Sequence, residues 1–425
     1  MATPTLPPDI ITDILSRLPS KTLIRFKSVS KQWYSLINSP NFINLHLTQT
    51  LISQNSPNLI ISHFSLSSVA ISIENNPNFH LIELDHPLQH LCDTHNFSSY
   101  DRKFAPITLG SINGVVCISM YDKSSVVLYN PSTKTHRFIP PFTPSTNTNP
   151  NFEINPEGTT FNFVVFGFGF DSVSGDYKLL RMIETCNDSG LLHGETSVYN
   201  LRNDSWKCVN DQTRGEFVLQ NSMGAFVNEV LHFIAIDSKL NAKVKCFNLR
   251  NETFSYLDFP KFDDKFSRNC YVVRELGGCL TVMVNYHKVF LGMAGDRSLG
   301  KVDLWVMKEY GNKESWFRLF SIRDLARLDV LIHVRPVVYS RDKERVLLEL
   351  DNLSFGWYSW GSKSFEKITV HGEPSAYAPY ETWTFVDSLV SIGKDKNKDK
   401  YKAKIVPKKS KNKEDFLSSG FKLRL

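Results

Sequence analysis

Apolar residues near the start of the chain recur with a helical period. Ile10, Ile11, Ile14, Leu15 and Leu18 stand at i, i+1, i+4, i+5 and i+8, a stripe spanning roughly 140° of a helix, with Asp9, Thr12, Asp13 and Arg17 mostly outside it. Pro19-Ser20 ends that helix, and Ser20 is a suitable N-cap for a second one over residues 21–26. Ser30 can cap a third helix through Ile37, which turns Trp33, Leu36 and Ile37 inward and stops near Asn38-Ser39-Pro40. Three short helices bury little surface, and the first stripe is wider than two short neighbours need, so part of it should face another protein.

Beyond His46 the segment 48–58 is polar, rich in Ser, Gln and Asn, and reads as a connection between modules. From Leu59 the period changes to that of strands. Runs such as LIISHFSL and GVVCISM are short, apolar and separated by Asn, Pro and Gly. A loose repeat follows: an apolar strand, an aromatic residue with Asn or a similar residue, a polar turn, and a second aromatic residue seven or more positions on. Tyr199-Asn200-Leu201-Arg202-Asn203 with Trp206 and Phe247-Asn248-Leu249-Arg250-Asn251 with the following TFSY are nearly identical copies. The markers Tyr129, Tyr199, Phe247, Trp305 and Tyr358 are 70, 48, 58 and 53 residues apart. A period near fifty with several strands per unit predicts the blades of a propeller rather than a helical solenoid. Five copies and a partial one at Leu59 to about His95 give about six blades, and the last strand, Trp383 to Ile392, can complete the partial unit and close the ring.

Charge and cysteine usage narrow the function. The formal net charge is +6, but residues 394–425 carry twelve basic residues against four acids, so the body before them is slightly acidic. A global nucleic-acid-binding surface is not supported. The cluster Lys408-Lys409-Ser410-Lys411 is of nuclear-import type within an otherwise solvated tail. Seven cysteines without a Cys-x-x-Cys pair indicate buried thiols rather than a disulfide framework or a zinc ribbon. No apolar run reaches eighteen residues and the N-terminus has no signal-peptide pattern, so a cytoplasmic or nuclear protein with no membrane partner is expected.

Chemistry-bearing motifs are weak. His86, His90, Cys92 and His95 crowd ten residues but lack the paired spacing of a zinc site, and read as a surface loop. In Gly110-Ser111-Ile112-Asn113-Gly114 the serine is one position from nucleophile-elbow spacing, and Gly167-x-Gly169 lies inside a strand-like run, so the glycines are read as relieving crowding between strands. Neither a catalytic constellation, a metal site nor a cofactor is expected.

Two stretches resemble a known family. Leu6-Pro7, Asp9, the run Ile14 to Pro19, Leu23, Phe26 to Lys31 and Trp33 resemble an F-box. Leu128-Tyr129-Asn130-Pro131-Ser132-Thr133 and Phe166-Gly167-Phe168-Gly169-Phe170-Asp171 resemble the F-box-associated domain of plant F-box proteins, which is related to kelch-type propellers. Unlike true kelch repeats, the chain has a single Gly-Gly pair, Gly277-Gly278. The resemblance implies a small all-α three-helix F-box (1–48), a linker (49–58), an all-β propeller-like substrate-recognition domain (59–392) and a Lys-rich tail (393–425).

The resemblance also implies a non-catalytic substrate-recognition subunit of a Skp–cullin–F-box ubiquitin ligase. It places Leu6, Pro7, Ile10, Ile11, Ile14, Leu15, Leu18, Pro19, Val29 and Trp33 at the Skp-type adaptor, with cullin and RING subunits beyond it and an unidentified target protein on the β domain. Family analogy suggests plant immune-receptor turnover or pollen–pistil recognition as contexts. Two rivals use the same features: a carbohydrate-binding or oxidase propeller whose helical module oligomerises, which should show a metal or redox ligand set, and a nuclear scaffold driven by the basic tail.

Overall fold

The computed structural model describes residues 6–53, 58–62, 66–70, 78–88, 106–120, 125–142, 161–187, 190–213, 217–219, 223–237, 241–259, 268–289, 297–323, 332–371 and 381–393. The first helices follow the apolar period closely: α1 is Pro8–Ser16, α2 Ser20–Phe26 and α3 Lys31–Ile37. Pro40 does not end the helical region. It is the first residue of a fourth helix, α4, Pro40–Ser53, because its missing N–H costs nothing in a first turn. The expected linker is thereby corrected, since residues 49–53 are helical and Asn58 already begins a strand.

Beyond them the described residues form six sheets of four or five strands, antiparallel but for one edge strand, arranged as the blades of a propeller. Blade two shows the plan: Pro106–Ile112, Val115–Met120, Val126–Asn130 and Thr135–Ile139 run outward from the axis in chain order. Its strands are apolar on both sides because both faces are covered. Val115 and Cys117 face blade three, while Val116 and Ile118 face blade one, the two-residue period of a strand serving two cores at once. Six such apolar clusters fill the six gaps between blades.

Tyr199 and Trp206, Phe247 and Phe254, and Tyr358 and Phe365 are cross-strand partners on the third and fourth strands of their blades, counted from the axis. Four turn residues between two paired positions produce the spacing of seven, and the rings meet at 5.5 Å and 4.7 Å in the first two pairs. The Asn beside the marker builds the turn: Asn130 Oδ1 accepts from Ser132 and Thr133 N–H, and Asn248 Oδ1 accepts from Arg250 and Asn251 N–H.

Glycines in the phrase FGFGFD stand where blade three meets blade four. A Cβ on Gly167 would lie 2.7 Å from Leu231 Cδ1, and one on Gly169 would lie 2.5 Å from Leu249 Cδ1 and Phe226 Cδ2. Polar bonds reinforce the gaps, as where Trp206 Nε1 donates to Pro140 O at 2.7 Å between blades three and two, and Lys178 Nζ donates to Leu249 O at 2.6 Å between blades three and four.

Ring closure uses both ends of the domain. Glu381–Phe385 pairs antiparallel with Asn58–Ser62 as the innermost strand of blade one, Ile60 opposite Trp383. The partial unit is not confined to one blade, however: Asn78–His80 leaves it to add a parallel edge strand to blade six beside Ser364–His371. His86 is buried rather than in a surface loop, and His90, Cys92 and His95 lie outside the described residues. Of the five cysteines whose burial is described, Cys117 and Cys246 are buried, Cys270 and Cys279 are half-buried and Cys208 is exposed, so buried thiols are fewer than expected.

Candidate functional site: the F-box and its seat on the propeller

The helical module has a core of Leu15, Leu23, Ile37 and Phe42, with Ile11, Leu18, Ile24, Phe26, Trp33, Leu36 and Ile43 packed around it. Ser30 caps α3 as anticipated, its side chain accepting from Trp33 N–H at 3.1 Å. Ser20 does not cap α2. Pro19 holds that position, and the Ser20 hydroxyl is buried without a hydrogen-bond partner among the described residues.

The apolar set on α1 divides in two. Leu15 is fully buried and belongs to the core, while Ile11, Leu18 and Trp33 are half-buried, Trp33 lying 5.3 Å from the Phe26 ring. Leu15, which the resemblance placed at the adaptor, packs in the F-box core of this structure. Leu6, Pro7, Pro19 and Val29 are exposed, and Ile10 and Ile14 keep 48% and 47% of their surface open. Ile10 and Ile14 stand at i and i+4 and so share one face of α1, with the exposed Leu6 just before the helix. Exposed isoleucines four apart are the surplus that the breadth of the stripe implied.

The C-terminal segment supplies what the short helices lack. After the closing strand, residues 386–393 run beneath the propeller without regular structure. Leu389 enters the F-box core, while Val390 and Ile392 pack against the cluster between blades two and three. Asn130, fully buried, fixes the path: its Nδ2 donates to Ser388 O and Oγ, both at 3.2 Å, and to Val390 O at 2.9 Å. Ser132 Oγ donates to Asp387 Oδ1 at 2.8 Å. Gly114 has φ +77 and would place a Cβ 2.3 Å from Ser388 Oγ, so the Asn113-Gly114 turn leaves room for this segment. On the F-box side His46 of α4 donates from Nε2 to Leu18 O at 2.9 Å, and burial lowers its pKa, keeping the ring neutral.

The modules therefore meet through packed side chains. The blade turns at Asn113-Gly114, Asn228-Glu229, Gly277-Gly278 and 340–343 point toward the helices. Since strands alternate in direction, the opposite end of the propeller carries the connections between blades.

Comparison with known proteins decides the family. Residues 4–45 match the F-box domain, and residues 59–392 match the F-box associated beta propeller domain. The chain belongs to the F-box proteins with an F-box-associated propeller. Over 454 aligned residues it is 30% identical to F-box protein CPR1 of Arabidopsis thaliana, covering 99% of this chain and 100% of that protein. F-box protein At4g22390 of the same organism is 27% identical, covering 99% of each chain. F-box/kelch-repeat protein At3g23880, also from Arabidopsis thaliana, is 29% identical over 81% of this chain and 85% of its own. No helix among the described residues is long and apolar enough to cross a membrane.

Proposed function

We propose that this F-box protein is the substrate receptor of a Skp–cullin–F-box ubiquitin ligase. The F-box docks on a Skp-type adaptor, which links it to cullin and RING subunits, and the propeller holds a target protein for ubiquitination and degradation. The observation that carries this reading is the exposed α1 face of Ile10 and Ile14, joined by Leu6 just before the helix and by Val29, on a module whose own core is already complete with Leu389. Pro7 and Pro19 bound that helix, and Ile11, Leu18 and Trp33 flank the face while helping to hold it in shape. The target belongs at the end of the propeller away from the F-box, because α4 and residues 386–393 cover the end facing the F-box.

No covalent step is then asked of this chain. Its contribution is proximity: a rigid seat between F-box and propeller fixes the distance between target lysines and the charged ubiquitin carrier, raising their effective concentration. Lys408, Lys409 and Lys411, outside the described residues, would add nuclear import.

The test is an Ile10→Asp, Ile14→Asp double variant in the full chain. Both positions are half exposed, so the melting temperature should stay within a few degrees of wild type, while adaptor affinity falls by about 30-fold or more, the loss expected at an interface hot spot. Target capture should persist and target ubiquitination should stop. Undiminished adaptor binding by a folded double variant refutes the docking face.

A further inference from the structure

The end of the propeller channel that faces the F-box is not filled. A cavity of about 880 Å³ lies there, within the size range of small-molecule sites, and at a junction between modules, where such sites concentrate. The turn from Ser16 to Ser20 and the end of α4 form one wall, and the inner-strand ends of all six blades form the rest. Phe168, Phe226, Tyr339 and Trp383 bring aromatic rings to it.

Arg17, Arg274, Arg341 and Lys343 line the cavity with Glu275 and Asp387. Arg17 is already paired with Asp13 Oδ1 at 2.9 Å, and Glu275, which accepts from Gly278 N–H, is exposed at the rim. Arg274 is the central cation. Its guanidinium lies 4.6 Å from the centre of the Trp383 ring, and among the described residues no carboxylate stands within ion-pairing distance of it. Burial and the neighbouring Arg335 lower its pKa to about 10, only partly offset by the more distant carboxylates of Glu349 and Glu381. The charge is thus held at a cost that an incoming anion would relieve.

Unmet polar atoms gather at the same place. Thr382 Oγ1, Ser20 Oγ and His46 Nδ1 have no hydrogen-bond partner, although Thr382 is 5%, Ser20 1% and His46 2% exposed, and all three residues line the cavity. The indole Nε1 of Trp383 is a fourth. Buried polar atoms are bonded in the large majority of cases. Four unbonded ones around a single cavity, contributed by α2, α4 and the closing strand, mark where a guest with several polar groups would sit.

We infer that this cavity binds a small organic anion, with a flat apolar body against the aromatic wall beside Trp383 and a carboxylate or phosphate group on Arg274. Arg forks match both acid groups in the same planar, two-point manner, so the shared chemistry is that of an oxyanion. Ser20 would reach the acid group's side of the guest from the F-box and Thr382 from the propeller, while His46 Nδ1, an acceptor in this tautomer, would meet only a donor group of the guest, so the bound molecule bridges the two modules.

The full chain is titrated by calorimetry at low ionic strength with 1-naphthoate, 1-naphthyl phosphate and, as the uncharged analogue, 1-naphthalenemethanol. At least one anion should bind with one-to-one stoichiometry, about tenfold or more tighter than the alcohol, and the tighter of the two identifies the acid group. Arg274→Gln should weaken that anion by about tenfold or more. Hydrogen exchange on the unmodified chain guards against misfolding of the variant: the anion should protect the hairpin around Arg274–Gly278 and the strand Glu381–Phe385. No saturable binding of either anion at millimolar concentration, equal binding of the alcohol, protection elsewhere only, or an unchanged affinity in a folded Arg274→Gln protein each overturns the inference.

Discussion

Truncating Leu389 to alanine tests the coupling of the two modules. Leu389 is 4% exposed, and the core it joins contains only four other fully buried apolar residues, one from each helix. Removing a buried leucine side chain costs about 2–5 kcal/mol, less where the surroundings can collapse into the space. Residues 386–393 have no regular structure but are pinned by Asn130, which permits partial collapse and places the expected loss near 3 kcal/mol, roughly 150-fold in the opening equilibrium. Hydrogen exchange read by peptide locates the effect. Amides of α1 to α3 should exchange about 150-fold faster, while the inner strands of blades three to five keep their protection, since Leu389 touches none of them. Unchanged exchange in the helices, or equal acceleration in all six blades, would show that Leu389 is not part of the F-box core.

Four further outcomes follow. A chain ending at Pro379 loses the strand Glu381–Phe385, exposes the ladder edge of Asn58–Ser62, and should lose its cooperative melt; an unchanged melting temperature refutes the closure. Trp33→Ala removes a half-buried ring packed on Phe26 and should destabilise the F-box by about 3 kcal/mol, so the helical signal of α3 and adaptor binding fall together; lost binding with intact helicity would make Trp33 a pure contact residue. His232 is fully buried between Ala225 O and the Tyr310 hydroxyl, and burial lowers its pKa to about 4. A folded-state pKa below the unfolded one means the unfolded chain takes up the proton first, so stability is complete above pH 6.5 and falls by on the order of 3 kcal/mol toward pH 4. A His232 ring that titrates near pH 6.5 by NMR contradicts this. Replacing Lys408, Lys409 and Lys411 with alanine should shift a fluorescent fusion toward the cytoplasm, and an unaltered distribution removes the import role.

What the sequence made legible was whatever short-range geometry writes into spacing. A cross-strand pair bridging a four-residue turn must recur at seven, so Tyr199 with Trp206 and Phe247 with Phe254 revealed the blades. An unmatched first unit together with an unmatched last strand revealed the closure. The α4 helix escaped because Pro40 both stops one helix and starts another, and because it buries Phe42 and a histidine, His46, rather than an apolar stripe. Leu389 carried no signal at all: one leucine in an irregular segment has no period, and its partners lie more than 340 residues away. The cavity was equally hidden, since the ends of six blades and two helices compose it and no local pattern records their meeting. On α1 the apolar period records breadth without division, and only packing shows that Leu15 is core while Ile10 and Ile14 are surface.

The late position of Leu389 has a consequence for the order of events on the ribosome. At about 5–20 residues per second, α4 emerges roughly 20–70 s before the residues that seat it. During that interval the nascent F-box lacks one of its buried leucines and the propeller lacks its innermost strand in blade one, so neither can mature alone. A transcript broken anywhere upstream of Leu389 yields a polypeptide with a loosened α1 face, poorly suited to occupying the adaptor. Incomplete translation products are thus poor competitors of the finished receptor, a proofreading of length that the fold provides without any added factor.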